Sequence, residues 1–226
     1  MTRTSVALLV PAAGSGVRMG GVRKPFLKLA GRSVLGCALG PFLARPDFVE
    51  VVVALGSPPD ALDPVFRDRR VRVIPGGTSR FESVANAFGH VKSEAGLIAV
   101  HDAARPFPPP AAIDACVELA ARGIGAVAGI PAVDTVKRAS GHGVIAETPA
   151  RETLWYAQTP QIFPRELFAR AVEHCRAGGP APTDDASMVE RLGVEVRMVQ
   201  ASVSNIKITS REDLAVAEAL IAGGYI

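Results

Sequence analysis

Short apolar runs alternate with longer segments of mixed polarity along most of this chain. The runs are rich in β-branched residues and bounded by Gly or Pro, a pattern that favours buried strands. They cover residues 6–10, 49–55, 71–74, 97–100, 126–130 and 194–199. The segments between them predict helices that begin at Ser33, Ser79, Ala111, Pro164, Thr183 and Ser210. This alternation predicts an α/β fold in which a parallel sheet is covered by helices on both faces.

Residues 134–152, here called the arm, depart from this alternation. Two short strands are predicted over residues 135–139 and 144–148, around a turn that contains glycine. A hairpin of this size has too little apolar surface to be stable alone, so we expect the arm to pack against another surface. A last strand is predicted over residues 205–209, before the C-terminal helix.

A turn of small residues, Ala12-Ala13-Gly14-Ser15-Gly16, follows the first predicted strand. Backbone N–H groups in such a turn can approach a phosphate chain without obstruction by side chains. The cations that could neutralise phosphate charge follow within a short distance and are Arg18, Arg23, Lys24, Lys28 and Arg32. A tight strand-to-helix turn beside a solvated basic face is the alternative.

Two familiar phosphate-binding loops are excluded by the spacing of this turn. The dinucleotide-binding fingerprint needs a third glycine where Met19 stands, which argues against a dinucleotide-dependent reductase. A Walker A loop needs Ser or Thr after its lysine, and here Lys24 is followed by Pro25.

Two further segments carry candidate binding groups at strand ends. Gly76-Gly77 precedes the helix start at Ser79, where free N–H groups favour an anion or a polar base edge. Simple helix capping by Ser79 and Glu82 is the alternative there. Asp102 follows the run 97–100, and open α/β sheets bind ligands beyond the carboxyl ends of their strands. A solvated aspartate that caps the next turn is the alternative for Asp102.

Composition narrows the class of protein. The 226 residues are enough for one sizeable domain, and no run approaches the roughly 18 apolar residues of a membrane span. The three cysteines are widely spaced, which predicts free thiols in a reducing, cytoplasmic compartment. A net charge of +3 suits an anionic small molecule and predicts neither nucleic acid nor membrane as a partner.

Taken in order, the motifs of the chain resemble those of one family from end to end. That family is the 2-C-methyl-D-erythritol 4-phosphate cytidylyltransferases, nucleotidyltransferases of the non-mevalonate isoprenoid pathway. The motifs are Ala12-Ala-Gly-Ser-Gly-Val-Arg-Met19, Gly76-Gly77, Arg80 with Ser83, Val100-His-Asp-Ala-Ala-Arg-Pro106, Asp134-Thr-Val-Lys137, Leu154-Trp155, Gln158-Thr-Pro-Gln161, Thr183-Asp184 and Asn205-Ile-Lys-Ile-Thr209. The chain departs from the usual pattern at Arg23-Lys24-Pro25, at Asp185 and at Ser204.

The resemblance implies a fold and a reaction. The fold is a single nucleotidyltransferase domain over residues 1–226, with a Rossmann-like doubly wound, mostly parallel sheet of the nucleotide-diphospho-sugar transferase type and a protruding arm. The reaction converts CTP and 2-C-methyl-D-erythritol 4-phosphate to 4-diphosphocytidyl-2-C-methyl-D-erythritol and pyrophosphate, with Mg²⁺ as cofactor and a homodimer formed through the arm. The alternatives are a cytidylyltransferase for another polyol phosphate, such as ribitol 5-phosphate, and a non-catalytic nucleotide-binding homologue.

The resemblance also implies roles for individual residues. The catalytic cations on the triphosphate are Arg18, Lys24 and Lys207. The CTP-binding residues are Ala12, Ala13, Gly14, Ser15, Gly16, Gly77, Arg80, Ser83, Asp102 and Ala103. The residues for the acceptor phosphate and polyol are Arg105, Thr135, Arg151 and Thr159. Asp102 is expected to touch the metal, directly or through water, and His101 to hold its loop rather than act as a base.

Overall fold

A mostly parallel sheet lies at the centre of this computed structural model, which describes residues 4–14, 24–56 and 63–226. The strands are β1 (Val6–Ala12), β2 (Lys28–Leu29), β3 (Arg32–Ser33), β4 (Phe48–Leu55), β5 (Val71–Pro75), β6 (Leu97–Val100), β7 (Gly125–Pro131), β8 (Arg138–Ala139), β9 (Ile145–Glu147), β10 (Trp155–Pro164) and β11 (Val196–Gln200). The α-helices are α1 (Val34–Leu43), α2 (Arg80–Gly89), α3 (Pro110–Ala121), α4 (Arg165–Arg176), α5 (Asp185–Glu190) and α6 (Arg211–Ala222). Short 3₁₀ helices cover Lys24–Phe26, Pro64–Arg67 and Arg151–Thr153.

Within the described part of the chain, the central sheet has seven strands in the order β11-β7-β10-β6-β1-β4-β5. Neighbouring strands are parallel except for β10, which runs antiparallel to both β6 and β7. The six strands predicted from apolar runs are confirmed. Strand β10 was not predicted because its sequence mixes glutamines and prolines with apolar residues, so it contains no continuous apolar run.

Strand β1 explains why the sheet is buried on both faces. Val6, Leu8 and Val10 pack into one apolar cluster together with residues of α1 and α3. Ala7 and Leu9 pack into a second cluster together with residues of α2 and α4. A strand that contacts helices on both faces needs apolar residues at every position, which is the pattern of this run.

Helices α1, α2 and α6 begin directly after the predicted capping residues. Ser33, Ser79 and Ser210 each accept a hydrogen bond from the backbone N–H three residues later. Asp184, one residue after the predicted start at Thr183, caps α5 in the same way, and α3 begins at Pro110 rather than Ala111. Pro164 is the residue before α4 rather than part of its first turn, which corrects the prediction there. None of the helices that the structure describes is long and apolar enough to cross a membrane.

Two strand predictions are corrected. Residues 205–209 form no strand, and Ile208 N–H instead donates to the Ala104 carbonyl, 2.8 Å away, in the loop after β6. The predicted strands of the arm are shorter in the structure, where only β8 and β9 pair. All residues of β8 and β9 are exposed, so the arm contributes nothing to the described core.

Candidate active site

A cavity of about 700 Å³ opens at the carboxyl ends of the parallel strands. Its wall includes the end of β1, residues that follow β1, β4, β5 and β6, the first turn of α2, Pro25 and residues 207–209. Ligands of open α/β sheets bind at this edge, because successive strand-to-helix turns meet there. The sheet thus brings together four sequence segments that contain predicted binding residues.

The turn after β1 reaches the cavity but is described only in part. Ala12, Ala13 and Gly14 line the wall. The predicted binding residues Ser15, Gly16 and Arg18, as well as the side chain of Lys24, lie outside what the structure describes. Their assignment stays a prediction.

The Gly76-Gly77 turn leaves very little space for side chains. An added Cβ at Gly76 would lie 2.3 Å from Ala13 Cβ, and one at Gly77 would lie 2.2 Å from Glu82 Cβ. Gly77 N–H donates to Ser83 Oγ at 3.0 Å, and the Ser83 hydroxyl donates to the Ser79 carbonyl at 2.9 Å. The Ser83 oxygen therefore keeps acceptor capacity, so it suits a donor group on a ligand.

Asp102 is the centre of charge in the cavity wall. Lys207 Nζ donates to its Oδ2 at 2.7 Å, and Arg80 Nε donates to its Oδ1 at 3.3 Å. Arg105 Nε lies 3.7 Å from Oδ2. Burial alone would raise the pKa of the Asp102 carboxyl, but the charges of Arg80 and Lys207 outweigh it and hold the pKa well below its usual range. The carboxylate is therefore ionised and surrounded by cations.

His101 holds the loop that carries Asp102 and Arg105. The Thr159 hydroxyl accepts from Asp102 N–H at 3.0 Å and lies 2.9 Å from His101 Nδ1. His101 Nε2 lies 3.0 Å from the Arg105 carbonyl. These bonds assign a neutral ring that accepts at Nδ1 and donates at Nε2. Burial lowers the pKa of His101 to about 4, which fits the expected structural role rather than that of a base near neutral pH.

Thr159 has a different position from the one expected of a residue that touches a ligand. Its side chain is 3% exposed, and its hydroxyl is used by Asp102 and His101. In this protomer Thr159 holds the loop after β6, and its contact with the acceptor stays a prediction.

Lys207 reaches Asp102 because residues 205–209 cross the end of the sheet instead of pairing as a strand. Asn205 Nδ2 donates to the Thr159 carbonyl at 2.9 Å, and Ile208 N–H donates to the Ala104 carbonyl at 2.8 Å. These two bonds fix the backbone on either side of Lys207. The Lys207 side chain is 41% exposed, so the ammonium remains accessible to a ligand.

The other residues predicted to bind an acceptor are not gathered in this wall. Arg105 is partly buried, and its Nη1 donates to the Asn205 carbonyl at 2.7 Å. Thr135 and Arg151 are exposed residues of the arm, and Arg151 donates to the Val133 carbonyl at 2.8 Å. Within the described protomer, the arm residues lie outside the cavity lining.

Carboxylates that could contact a metal are few here. Among the described residues, no group of three or more His, Cys, Asp or Glu side chains could hold a metal ion. Of the described wall residues, Asp102 and Glu82 carry carboxylates, and Glu82 already accepts the N–H and hydroxyl of Thr78. Mg²⁺ keeps several waters and commonly binds one or two carboxylates together with substrate phosphates. Asp102 fits that kind of site, whereas a site made of protein ligands alone has no donor set in the described residues.

Asp185 is a candidate functional residue that the sequence indicates only as part of a helix start. It is 1% exposed, and its Oδ2 accepts a hydrogen bond from Arg80 Nη2 at 2.6 Å. The sequence signal for Asp185 is that two acidic residues, Asp184 and Asp185, stand at a helix start where one is enough to cap the helix. Arg80 lies 105 positions away in sequence, so the partner was not predictable.

Comparison with known proteins gives one consistent result. The family model described as 2-C-methyl-D-erythritol 4-phosphate cytidylyltransferase matches residues 6–223. A protein of that name from Deinococcus radiodurans is 44% identical over 97% of this chain and 92% of its own. One from Solibacter usitatus is 41% identical over 94% of this chain and 93% of its own.

Solved structures agree with the sequence relatives. The 2-C-methyl-D-erythritol 4-phosphate cytidylyltransferase from Thermus thermophilus superposes with a TM-score of 0.80 at 34% identity, covering 96% of this chain and 99% of that one. The 4-diphosphocytidyl-2C-methyl-D-erythritol synthase from Anaerococcus prevotii gives a TM-score of 0.84 at 26% identity and covers 96% of both chains. The chain therefore belongs to the 2-C-methyl-D-erythritol 4-phosphate cytidylyltransferase family.

Proposed function

We propose that this protein transfers the cytidylyl group of CTP to 2-C-methyl-D-erythritol 4-phosphate, with release of pyrophosphate. The product is 4-diphosphocytidyl-2-C-methyl-D-erythritol, an intermediate of the non-mevalonate isoprenoid pathway. One observation carries the proposal: a single cavity joins two glycine turns to the ion pair of Asp102 and Lys207.

The reaction needs charge neutralisation more than acid–base chemistry. A phosphate oxygen of the acceptor attacks the α-phosphorus of CTP in line, and the bond from that phosphorus to pyrophosphate breaks. The acceptor phosphate is already an anion at neutral pH, so no strong base is required. The obstacle is the approach of two polyanions, which the protein overcomes by positioning and by fixed positive charge.

Lys207 supplies part of that charge. Its ammonium is accessible from the cavity and is placed by the backbone bonds of residues 205–209. Lys24 and Arg18 are the other proposed cations; neither side chain lies within the described part of the chain. All three are proposed to hold the triphosphate and to stabilise the charge that develops on the leaving pyrophosphate.

The glycine turn is proposed to select cytosine. The Ser83 oxygen, which keeps acceptor capacity, suits the amino group of the base. Gly76 and Gly77 pack closely against Ala13 and Glu82, so only backbone and small side chains form this part of the wall, and we propose that a pyrimidine rather than a purine binds against it.

Magnesium is the proposed cofactor. When bound to the phosphates of the nucleotide, it would neutralise charge and favour the departure of pyrophosphate. Asp102 is the proposed protein contact to it, directly or through water. The carboxylate is ionised by its neighbours and lines the cavity, as such a contact requires.

The acceptor site is proposed to be shared between two protomers of a homodimer. Arg105 is close to Asp102, but Thr135 and Arg151 project from the exposed arm. The arm also exposes Val144 and Ile145, apolar residues that a partner surface would cover. A guanidinium such as that of Arg151 can bind a phosphate with two parallel hydrogen bonds. The cytoplasm is the proposed location, supported by three free cysteines.

Pyrophosphate release tests this function. With 2-C-methyl-D-erythritol 4-phosphate as acceptor, kcat/KM for CTP should exceed that for ATP by at least about 100-fold, since a site that hydrogen-bonds one base edge rejects another strongly. Ribitol 5-phosphate is the competing acceptor in a parallel assay. Faster turnover of ribitol 5-phosphate would identify that compound as the acceptor. Absence of any turnover with CTP would indicate a non-catalytic nucleotide-binding homologue.

A further inference from the structure

Asp185 is a buried carboxylate that touches the cavity through another residue. It is 1% exposed and does not line the wall. Its Oδ2 accepts from Arg80 Nη2 at 2.6 Å, and Arg80 does line the wall. Burial raises the pKa of the Asp185 carboxyl, and the Arg80 guanidinium opposes that rise, so the charge of Asp185 depends on this pair.

The start of α5 does not need the charge of Asp185. Asp184 caps the helix by accepting a hydrogen bond from Ser187 N–H at 2.9 Å, and the Ser187 hydroxyl oxygen accepts one from Asp184 N–H at 3.3 Å. The next free N–H, that of Ala186, donates to Gln161 Oε1 at 2.8 Å. Within the described residues, the hydrogen bond given to the Asp185 carboxylate is the one from Arg80.

The position of Asp185 is itself rigid. Gln161 lies in β10 and is 2% exposed. Its amide donates to Asp184 Oδ2 at 2.9 Å and accepts from Ala186 N–H, so it bonds the residues on both sides of Asp185. The carboxylate is therefore fixed to the sheet rather than carried on a loose helix end.

Arg80 connects this fixed carboxylate to Asp102. Its Nη2 donates to Asp185, and its Nε donates to Asp102 Oδ1 at 3.3 Å. A guanidinium has five N–H donors, so others remain for an anionic ligand. Burial opposes ionisation, but the two carboxylates together raise the pKa of Arg80, so its charge is permanent.

We propose that Asp185 is a positioning residue for the nucleotide: it holds the Arg80 guanidinium beside Asp102, where the remaining N–H groups bind the phosphates of CTP. The inference rests on the proposed function and extends its residues beyond the cavity wall. Arg80 binds the phosphates before and during transfer, so loss of its orientation weakens CTP binding in both states. Such a loss raises KM and leaves kcat nearly unchanged.

Asp185→Asn tests this because it keeps the shape of the side chain and removes the charge. KM for CTP is expected to rise about 10–100-fold, the range for loss of a hydrogen bond to a charged group, with kcat within about 3-fold of wild type. The matched control is Asp63→Asn, a buried aspartate that caps the 3₁₀ helix Pro64–Arg67 and does not line the cavity. Asn caps as well as Asp, so the control should keep the wild-type KM.

A double-mutant cycle separates positioning from a general structural role. If Asp185 acts through Arg80, adding Asp185→Asn to Arg80→Gln leaves KM for CTP as it is in Arg80→Gln alone. Equal effects in both backgrounds, or an unchanged KM in Asp185→Asn, would overturn the inference. Should Asp185→Asn fail to fold, Asp185→Glu keeps the charge but displaces it by one methylene, and its KM effect must likewise vanish in the Arg80→Gln background. Wild-type turnover, measured alongside, tests the proposed function separately.

Discussion

The cavity wall and the arm use charged residues in opposite ways. In the wall, Asp102 is buried and contacts three cations, of which Arg80 and Lys207 come from distant parts of the chain. In the arm, Arg138 pairs with Glu147 where both side chains are more than half exposed. An exposed pair of this kind contributes only about 0–1 kcal/mol, because water screens it. The wall is thus preorganised within the protomer, whereas the arm lacks comparable internal support.

This difference indicates how the two regions contribute to function. A wall with fixed charges can stabilise a transition state without rearranging, which is the main source of catalysis in a transfer between anions. An exposed arm can supply binding groups only after another surface orients it. We therefore expect variants of the wall to change nucleotide binding or turnover within their own protomer, and variants of the arm to change the site of a neighbouring protomer.

The largest effect is expected for Lys207→Ala. Removing one preorganised cation aimed at developing charge costs about 10²–10³ in kcat. Steady-state pyrophosphate release measures it, and an unchanged melting temperature would show that the fold persists. Lys92→Ala is the matched control, because Lys92 is exposed and outside the cavity. Wild-type turnover in Lys207→Ala would remove Lys207 from the site.

Arg151→Ala is expected to lower kcat/KM for the acceptor by about 10–100-fold, through loss of hydrogen bonds to a phosphate. If each site takes Lys207 from one protomer and Arg151 from the other, mixing the Arg151→Ala and Lys207→Ala proteins restores activity. In a mixed dimer one site then carries both substitutions, and the other site carries neither. About half of the dimers are mixed, so recovery approaches a quarter of wild-type sites. Arg138→Ala, another exposed arginine of the arm, is the control. Activity in a protein that sediments as a monomer would contradict the shared site.

His101 should make stability depend on pH. Its pKa is about 4 in the fold and about 6.5 when unfolded, so protonation favours the unfolded chain. The stability that the neutral ring of His101 contributes to the fold is complete above pH 6.5 and is lost as the pH falls towards 4. Between pH 7 and pH 5 the loss is about 2 kcal/mol.

Urea unfolding at the two pH values measures this change. His101→Gln should remove that part of the pH dependence of the free energy of unfolding, whatever the effect of the substitution on stability at pH 7. The arm offers the control His142→Gln, an exposed side chain, which should retain the wild-type slope. Equal slopes in wild type and His101→Gln would show that His101 is not the titrating group.

The smallest effect is expected for Gly77→Ala. The new Cβ would lie 2.2 Å from Glu82 Cβ, so the turn must shift, and we expect KM for CTP to rise about 10-fold. Gly141→Ala in the arm is the control, because a Cβ there has no neighbour within 4 Å. Equal KM values for the two variants would indicate that the Gly76-Gly77 turn does not contact the nucleotide.

The sequence by itself determined the local elements and the candidate motifs. Apolar runs are strong signals for buried strands, as β1 illustrates, because a strand covered on both faces must be apolar throughout. Capping residues such as Ser79 are equally local signals, since the cap bonds only three residues ahead. The motif around Asp102 identified the family before any contact was known.

Only the tertiary structure decided which groups meet. Strand β10 pairs in the sheet despite its polar residues, because its partners β6 and β7 supply the hydrogen bonds. The local sequence of residues 205–209 predicts a strand, but in the structure this segment crosses the end of the sheet and brings Lys207 to Asp102. The pair Arg80–Asp185 and the burial of Thr159 depend on segments far apart in sequence. Such contacts depend on how the whole chain closes around its core, which no local pattern encodes.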